Sequence, residues 1–187
     1  EIIKAVASQF SKLSLMHLVV DPVMVSRTGA QLIDNQAIAA LREVLIPQAI
    51  LVTPNRYEAQ ILSGLEIQTL GSMQEAAQRI QRLGCKTVLV KGGGLSGDLQ
   101  GVDVWFDGDR LETLRTSRID TPHTHGTGCS LSAAIAANLA LGNDLLTAVQ
   151  LAKTYVTNAL KYALPIGHGQ GPIGHFFPLL TPSSKTA

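Results

Sequence analysis

Charged side chains are scarce in this chain of 187 residues: only 16% are Asp, Glu, Lys or Arg, against ~25% in ordinary soluble domains. With 45% apolar residues alongside, that scarcity excludes a disordered or highly charged scaffold. Charge of one sign is missing too. Fifteen basic and fourteen acidic residues leave +1, so no broad polyanion-binding face, and no nucleic-acid partner, is expected. Cys85 and Cys129 form neither a C-x-x-C pair nor a dense framework, which fits a reduced, cytoplasmic setting. Long apolar runs are absent as well: the stretch from Cys129 to Leu141 carries Ser130, Ser132 and Asn138 and is too short to span a bilayer, so no membrane partner is expected. The opening residues do not read as a basic-then-apolar signal segment, and none is expected. Glu1 stands inside a helical pattern, and the chain reads as one that begins in mid-fold. Low charge with a positive mean hydropathy leaves little solvating surface, so some apolar surface is expected to be covered by a partner.

What is present is an alternation of helical and strand patterns. Ile2, Ile3, Val6, Phe10 and Leu13 recur at helical spacing. His17 to Asp21 reads as a buried strand ending in a carboxylate and stopped by Pro22. A loop with Ser26, Thr28 and Gly29 leads to Asp34, which is expected to cap a helix through Leu45. Ala49 to Thr53 is a second strand, after which Asn55 opens a short helix through Leu62. Ser72 with Glu75 three residues on resembles a capping box for a helix to Leu83, and Lys86 to Val90 is a third strand. Residues 101–106 and 110–115 flank Asp107-Gly108-Asp109 as a hairpin. The turn Gly126-Thr127-Gly128 precedes a small-residue helix to Leu141, and a further helix runs from about Asp144 to Tyr162. Residues 167–174 are glycine-rich, and 175–187 read as a loose tail. This alternation implies βαβ units and a mainly parallel sheet in a single domain over residues 1–187. Ligands of such sheets bind at the carboxyl ends of the strands. Asp21, Asn55, Glu58, Lys91 and the glycines after Lys91 fall there.

Two common nucleotide fingerprints are missing: there is neither G-x-x-x-x-G-K-[ST] nor a G-x-G-x-x-G leading from strand to helix. Gly126-Thr127-Gly128-Cys129 admits two readings. Its glycines let successive N–H groups turn the same way at a helix start, where the helix dipole favours an anion, a developing oxyanion or a thiolate; equally, it serves as a plain helix cap with a structural cysteine. Asp21, Asn55 and Glu58 are oxygen donors of the kind Mg²⁺ takes beside nucleotide phosphates, or else a turn acid, a helix cap and a first-turn acid. Lys91 before Gly92-Gly93-Gly94 neutralises a phosphate, or snorkels from a strand end. His123-Thr124-His125 with Cys129 lacks the second ligand pair of a structural zinc site. His17 reads as a strand start, while His168 and His175 flank the glycine-rich tail without a readable partner. Met16, Met24 and Met73 read as packing residues.

Five segments carry a resemblance when taken together and in order: Asp21-Pro22-Val23-Met24-Val25, Thr53-Pro54-Asn55 through Glu58, Val90-Lys91-Gly92-Gly93, Thr124-His125-Gly126-Thr127-Gly128-Cys129, and Gly167-His168-Gly169-Gln170-Gly171-Pro172. Through them the chain resembles the hydroxymethylpyrimidine/phosphomethylpyrimidine kinases of thiamine biosynthesis, within the ribokinase-like superfamily. The resemblance implies a three-layer α/β sandwich with a mainly parallel central sheet, present here as the family's C-terminal two-thirds, since nothing matches the family's N-terminal segment. It implies ATP-dependent phosphorylation of a small hydroxymethylpyrimidine and of its monophosphate. On that resemblance Cys129 accepts the substrate proton, Gly126, Thr127 and Gly128 form the anion hole, and Lys91 and Asn55 contact nucleotide phosphate. Asp21 and Glu58 serve Mg²⁺, and Val23 lines the pyrimidine pocket. A homodimer is also implied. The cysteine-bearing pyridoxal kinases share these motifs, and a non-catalytic nucleotide-binding remnant is the alternative from another class.

Overall fold

Strands form where short β-branched and apolar runs are cut by proline, glycine or a charged residue. The computed structural model describes residues 1–13, 17–25, 30–93 and 99–180. The expected loop at Ser26, Thr28 and Gly29, together with Met16, Gly94 and the tail beyond residue 180, lies outside the described residues. The chain divides into two compact units, Glu1–Arg115 and Thr116–Ala187.

In the first unit, helix α1 (Ile2–Lys12) precedes strand β1 (Val19–Val20), helix α2 (Asn35–Ala40), β2 (Leu51–Val52), α3 (Arg56–Ser63), α4 (Leu70–Gln81), β3 (Thr87–Val90), β4 (Val102–Phe106) and β5 (Leu111–Arg115). Among the described residues the strands form one sheet in the order β1-β2-β3-β4-β5. The first three are parallel, with Val20 opposite Val52 and Val52 opposite Val88. β4 and β5 then add as an antiparallel hairpin, which makes the sheet mixed. The hairpin turns on Asp107, whose Oδ1 accepts from the amides of Asp109 and Arg110. All four residues of β3 are buried, as expected of a central α/β strand covered on both faces. Val20, Val52, Val88, Val90 and Val104 share one core with Met24, Leu62, Met73 and Ile80, and α4 packs on β3 and β4.

Three local expectations change. The helix capped by Asp34, whose carboxylate accepts from the Ala37 amide at 2.7 Å, widens to a π-helical turn over Leu41–Leu45 and ends in a 3₁₀ turn at Ile46–Gln48. Pro47 explains the change, because it offers no N–H to the carbonyl four residues back. Helix α4 starts earlier than Ser72. Thr69 is its cap, with Thr69 and Ser72 closing a reciprocal box, and Glu75 instead pairs with Arg79 one turn on at 2.7 Å. Residues of the expected loose tail also order, as helix α7 (Phe177–Leu180).

The second unit holds α5 (Thr127–Ala140), α6 (Leu145–Lys161) and α7. Helices α5 and α6 pack on one another; Leu131, Ile135 and Leu139 of α5 and Ala148, Val149 and Ala152 of α6 are buried. Asp144 caps α6, accepting from the Thr147 amide at 3.0 Å. The glycine-rich segment returns to the entrance of α5: His125 donates its amide to Gly171, and Ile173 donates to His125, each at 3.1 Å. None of the described helices is long and apolar enough to cross a membrane.

Candidate active site

Parallel pairing decides what gathers at the carboxyl edge of the sheet. The ladder outlasts the strands: Thr53 donates its amide to Val20 at 2.9 Å and Lys91 donates to Pro54 at 2.8 Å, with Asn55 paired to Lys91. Residues far apart in sequence therefore leave the sheet side by side. Lys91 Nζ lies 2.8 Å from Asp21 Oδ1, both side chains being mostly buried, and Thr53 Oγ1 donates to the same Asp21 oxygen at 3.4 Å.

Asn55 and Glu58 close a capping box at the start of α3. Asn55 Oδ1 accepts from the Glu58 amide at 3.0 Å, and Glu58 Oε2 accepts from the Asn55 amide at 2.7 Å. The bland alternative for this pair is thus realised, but it is not the whole account of Glu58. A capping-box acid is ordinarily solvated, whereas Glu58 is 1% exposed. Burial raises its pKa above the ordinary 4.5, opposed by the Asn55 amide and by the positive charge of Lys91, and reinforced by Asp21. A buried carboxyl facing a carboxylate–ammonium pair at a strand edge is an arrangement typical of functional sites.

The donors that the described residues of this unit bring together here are oxygens with one ammonium. That suits Mg²⁺, which retains waters and takes one or two carboxylates alongside substrate phosphates. Among the described residues no group of three or more Asp, Glu, His or Cys could hold a metal ion unaided. The residues fit a magnesium ion carried in with a polyphosphate. Val23 stands 47% exposed two residues beyond Asp21.

Beyond Lys91, close packing accounts for the first glycine. A Cβ on Gly92 would stand 1.9 Å from the Val102 carbonyl oxygen, and the Gly92 amide donates to Asp103 Oδ1 at 2.9 Å. Asp103 was not singled out from the sequence. Its signal is an acid in the middle of an apolar strand, where a buried carboxylate needs a donor.

In the second unit the Gly126-Thr127-Gly128-Cys129 turn opens α5. Gly126 is the cap, with φ +91° and no side chain to satisfy the amides that follow. Among the described residues the amides of Gly128 and Cys129 meet no acceptor, as helix starts require until a ligand or water supplies one. Thr127 Oγ1 donates back to the Thr124 carbonyl at 3.2 Å. Cys129 is exposed. It borders an open cavity of about 300 Å³ lined also by Ser130, Ala133, Ala134, Tyr155 and His175. Cys85 contrasts with it: burial pushes that thiol up to about 12, so it packs and does not react. His123 Nδ1 accepts from the Gly171 amide at 3.0 Å, which gives it a structural task. His175, unpartnered on the page of the sequence, meets Ser130 and Tyr155.

Comparison with known proteins agrees over nearly the whole chain. The family model described as phosphomethylpyrimidine kinase matches residues 1–174. A hydroxymethylpyrimidine/phosphomethylpyrimidine kinase of Synechococcus elongatus is 55% identical over 179 residues, covering 96% of this chain and 68% of the relative. A thiamine biosynthesis bifunctional protein of Geobacter sulfurreducens is 47% identical, covering 94% of this chain and 36% of the relative. Among solved structures, an ADP complex of Bacillus subtilis pyridoxal kinase matches with a TM-score of 0.87 and 39% identity, covering 96% of this chain and 67% of that one. The chain therefore spans about two thirds of the single-function relatives and about one third of the bifunctional one.

Proposed function

The chain belongs to the phosphomethylpyrimidine kinase family, and we propose that the protein transfers the γ-phosphoryl group of ATP to the hydroxymethyl oxygen of 4-amino-5-hydroxymethyl-2-methylpyrimidine, and then phosphorylates the resulting monophosphate. In each step the acceptor oxygen bonds the γ-phosphorus and the bond from that phosphorus to the ADP oxygen breaks; in the first step the hydroxyl proton also leaves, whereas the phosphate oxygen that attacks in the second is already ionised. Such transfers depend mainly on positioning and charge stabilisation. Cys129 Sγ takes the proton. The amides following Gly126 supply the fixed dipoles for the phosphoryl oxygens, and Lys91, with Asn55 beside it, neutralises nucleotide phosphate. Val23 lines the pocket for the pyrimidine ring. Asp21 and Glu58 would hold Mg²⁺ arriving with the nucleotide, and when bound it neutralises charge on the transferring group.

The observation that carries this reading is an exposed thiol directly after a glycine-capped turn whose amides lack acceptors, in a chain that matches the family over residues 1–174. The higher identity to the Synechococcus kinase than to the Bacillus pyridoxal kinase favours a pyrimidine over pyridoxal. The reading is completed by a cytoplasmic homodimer. Sparse charge and exposed Leu141, at 81%, support a covered apolar face.

The test is ATP-dependent phosphorylation of the hydroxymethylpyrimidine by the intact protein, with and without Cys129→Ser. The substitution is expected to lower turnover on the order of a hundredfold while ATP affinity stays nearly constant. Equal turnover would remove the thiol from the reaction, and nucleotide binding without turnover of any heterocycle would favour a non-catalytic role.

A further inference from the structure

Ser130 follows the candidate proton acceptor, and its hydroxyl has one proton to give. It gives that proton to the Gly126 carbonyl at 2.7 Å, the same carbonyl that accepts the Ser130 amide at 2.9 Å. The cap residue of α5 is thereby held from within its own first turn. The Ser130 oxygen is left as an acceptor, and His175 Nε2 lies 3.3 Å from it. With the Ser130 proton so placed, the contact is satisfied by the tautomer in which Nε2 carries the ring proton and donates to Ser130. The other nitrogen, Nδ1, then accepts from the Tyr155 hydroxyl at 3.2 Å. A relay of oriented bonds thus runs from Tyr155 of α6 through His175 and Ser130 to Gly126, and each member has a partner for the role it plays.

The chain goes to some length to put an imidazole there, 45 residues after Ser130. Two positions before His175 pass backbone carbonyls too closely for a side chain: a Cβ on Gly171 would stand 1.8 Å from the Leu164 oxygen, and one on Gly174 would stand 2.1 Å from the Tyr162 oxygen. Ile173 between them is 2% exposed, and the Gly174 amide is anchored on the Ala159 carbonyl at 2.9 Å. Finally the His175 ring stacks on Tyr155, with centroids 6.3 Å apart and an interplanar angle of 25°. These glycines have no reason to be so tightly seated if the following residue is a free tail.

We propose that His175 is a positioning residue for phosphoryl transfer: through Ser130 it fixes the Gly126 carbonyl, and with it the direction of the amides and the thiol that follow. The inference rests on the assignment of the Gly126–Cys129 turn to the transferring group. Gly126, at φ +91° and ψ −2°, has no side chain to restrict its backbone, so the bonds its carbonyl accepts help to hold the peptide plane that follows. Small rotations there re-aim the amides, and misplacement by an ångström costs catalysis heavily.

The experiment uses the intact protein and two readouts, steady-state kinetics and hydrogen exchange at the Ser130 amide. His175→Ala is expected to lower kcat on the order of tenfold or more, with KM for ATP little changed and exchange at Ser130 several-fold faster. His175→Gln, whose amide nitrogen can replace Nε2 as donor, should recover most of both. Ser130→Ala should resemble His175→Ala, and the double variant should be no worse than either single one, because both cut the same relay. Unchanged exchange in His175→Ala overturns the proposal whatever the kinetics, as do unchanged kcat with faster exchange and losses that multiply in the double variant. Faster exchange, rescued by Gln, in a protein that phosphorylates no hydroxymethyl heterocycle would sink the assigned reaction and the positioning role with it, while leaving the relay itself demonstrated.

Discussion

Two demands meet on the carboxyl of Glu58: it closes a helix cap, and it is buried beside Asp21 and Lys91. Its pKa is raised by burial above 4.5, so between 4.5 and the raised value the unfolded chain holds fewer protons on this residue than the folded one. The stability it contributes is complete below 4.5 and is lost as pH rises through the raised value. Glu58→Gln keeps a carbonyl oxygen for the Asn55 amide and removes the charge. Relative to the native protein it should gain stability as pH rises from about 4 to about 7, seen as diverging denaturant midpoints; parallel midpoints would show that the carboxyl does not ionise under strain. The same variant should need more Mg²⁺ for half-maximal turnover, and an unaltered metal titration would remove Glu58 from the magnesium network. At this scale much was legible. A carboxylate before Pro22, an Asn–Glu pair three apart and a lysine before glycines are each readable in the sequence. Their ambiguity was real, because a cap and a ligand draw on the same side chains. His175 was not legible, since its partners Ser130 and Tyr155 lie 45 and 20 residues away.

Among the elements, two glycines separate crowding from backbone strain. Gly92 has no room for a methyl group beside the Val102 carbonyl, so Gly92→Ala must move β4 or the Lys91 strand end, at a cost on the order of 2 kcal/mol or more. Gly126 has open space around its Cβ position but a φ of +91°, so Gly126→Ala carries only backbone strain, about 1 kcal/mol. Urea unfolding of both variants checks the order, and a Gly92→Ala protein as stable as Gly126→Ala would contradict the crowding. Helix existence was well marked by apolar spacing and by the caps Asp34, Asn55 and Asp144. The start of α4 was misplaced because Ser72 with Glu75 imitates a box, while Thr69 with Ser72, three residues earlier, makes the real one. Strand lengths were overstated at β1 and β2, where the apolar run continues past the paired residues.

For the whole molecule the open question is the choice of hydroxymethyl heterocycle. The intact protein is expected to give a higher kcat/KM for hydroxymethylpyrimidine than for pyridoxal, and competition between the two under one ATP concentration measures it. The reverse order would transfer the assignment to the pyridoxal kinases, with which the fold is shared at a TM-score of 0.87.

Local signals alone determined the α/β class, the sites of most helices and strands, and the residue types that reach the sheet edge, because periodicity, proline and glycine act within a few residues of themselves. Only the tertiary structure decided that Asp21 pairs with Lys91, that Glu58 is buried, and that His175 returns to Ser130. Those facts depend on strand register and on backbones approaching within a few ångströms, and no neighbour in sequence records either.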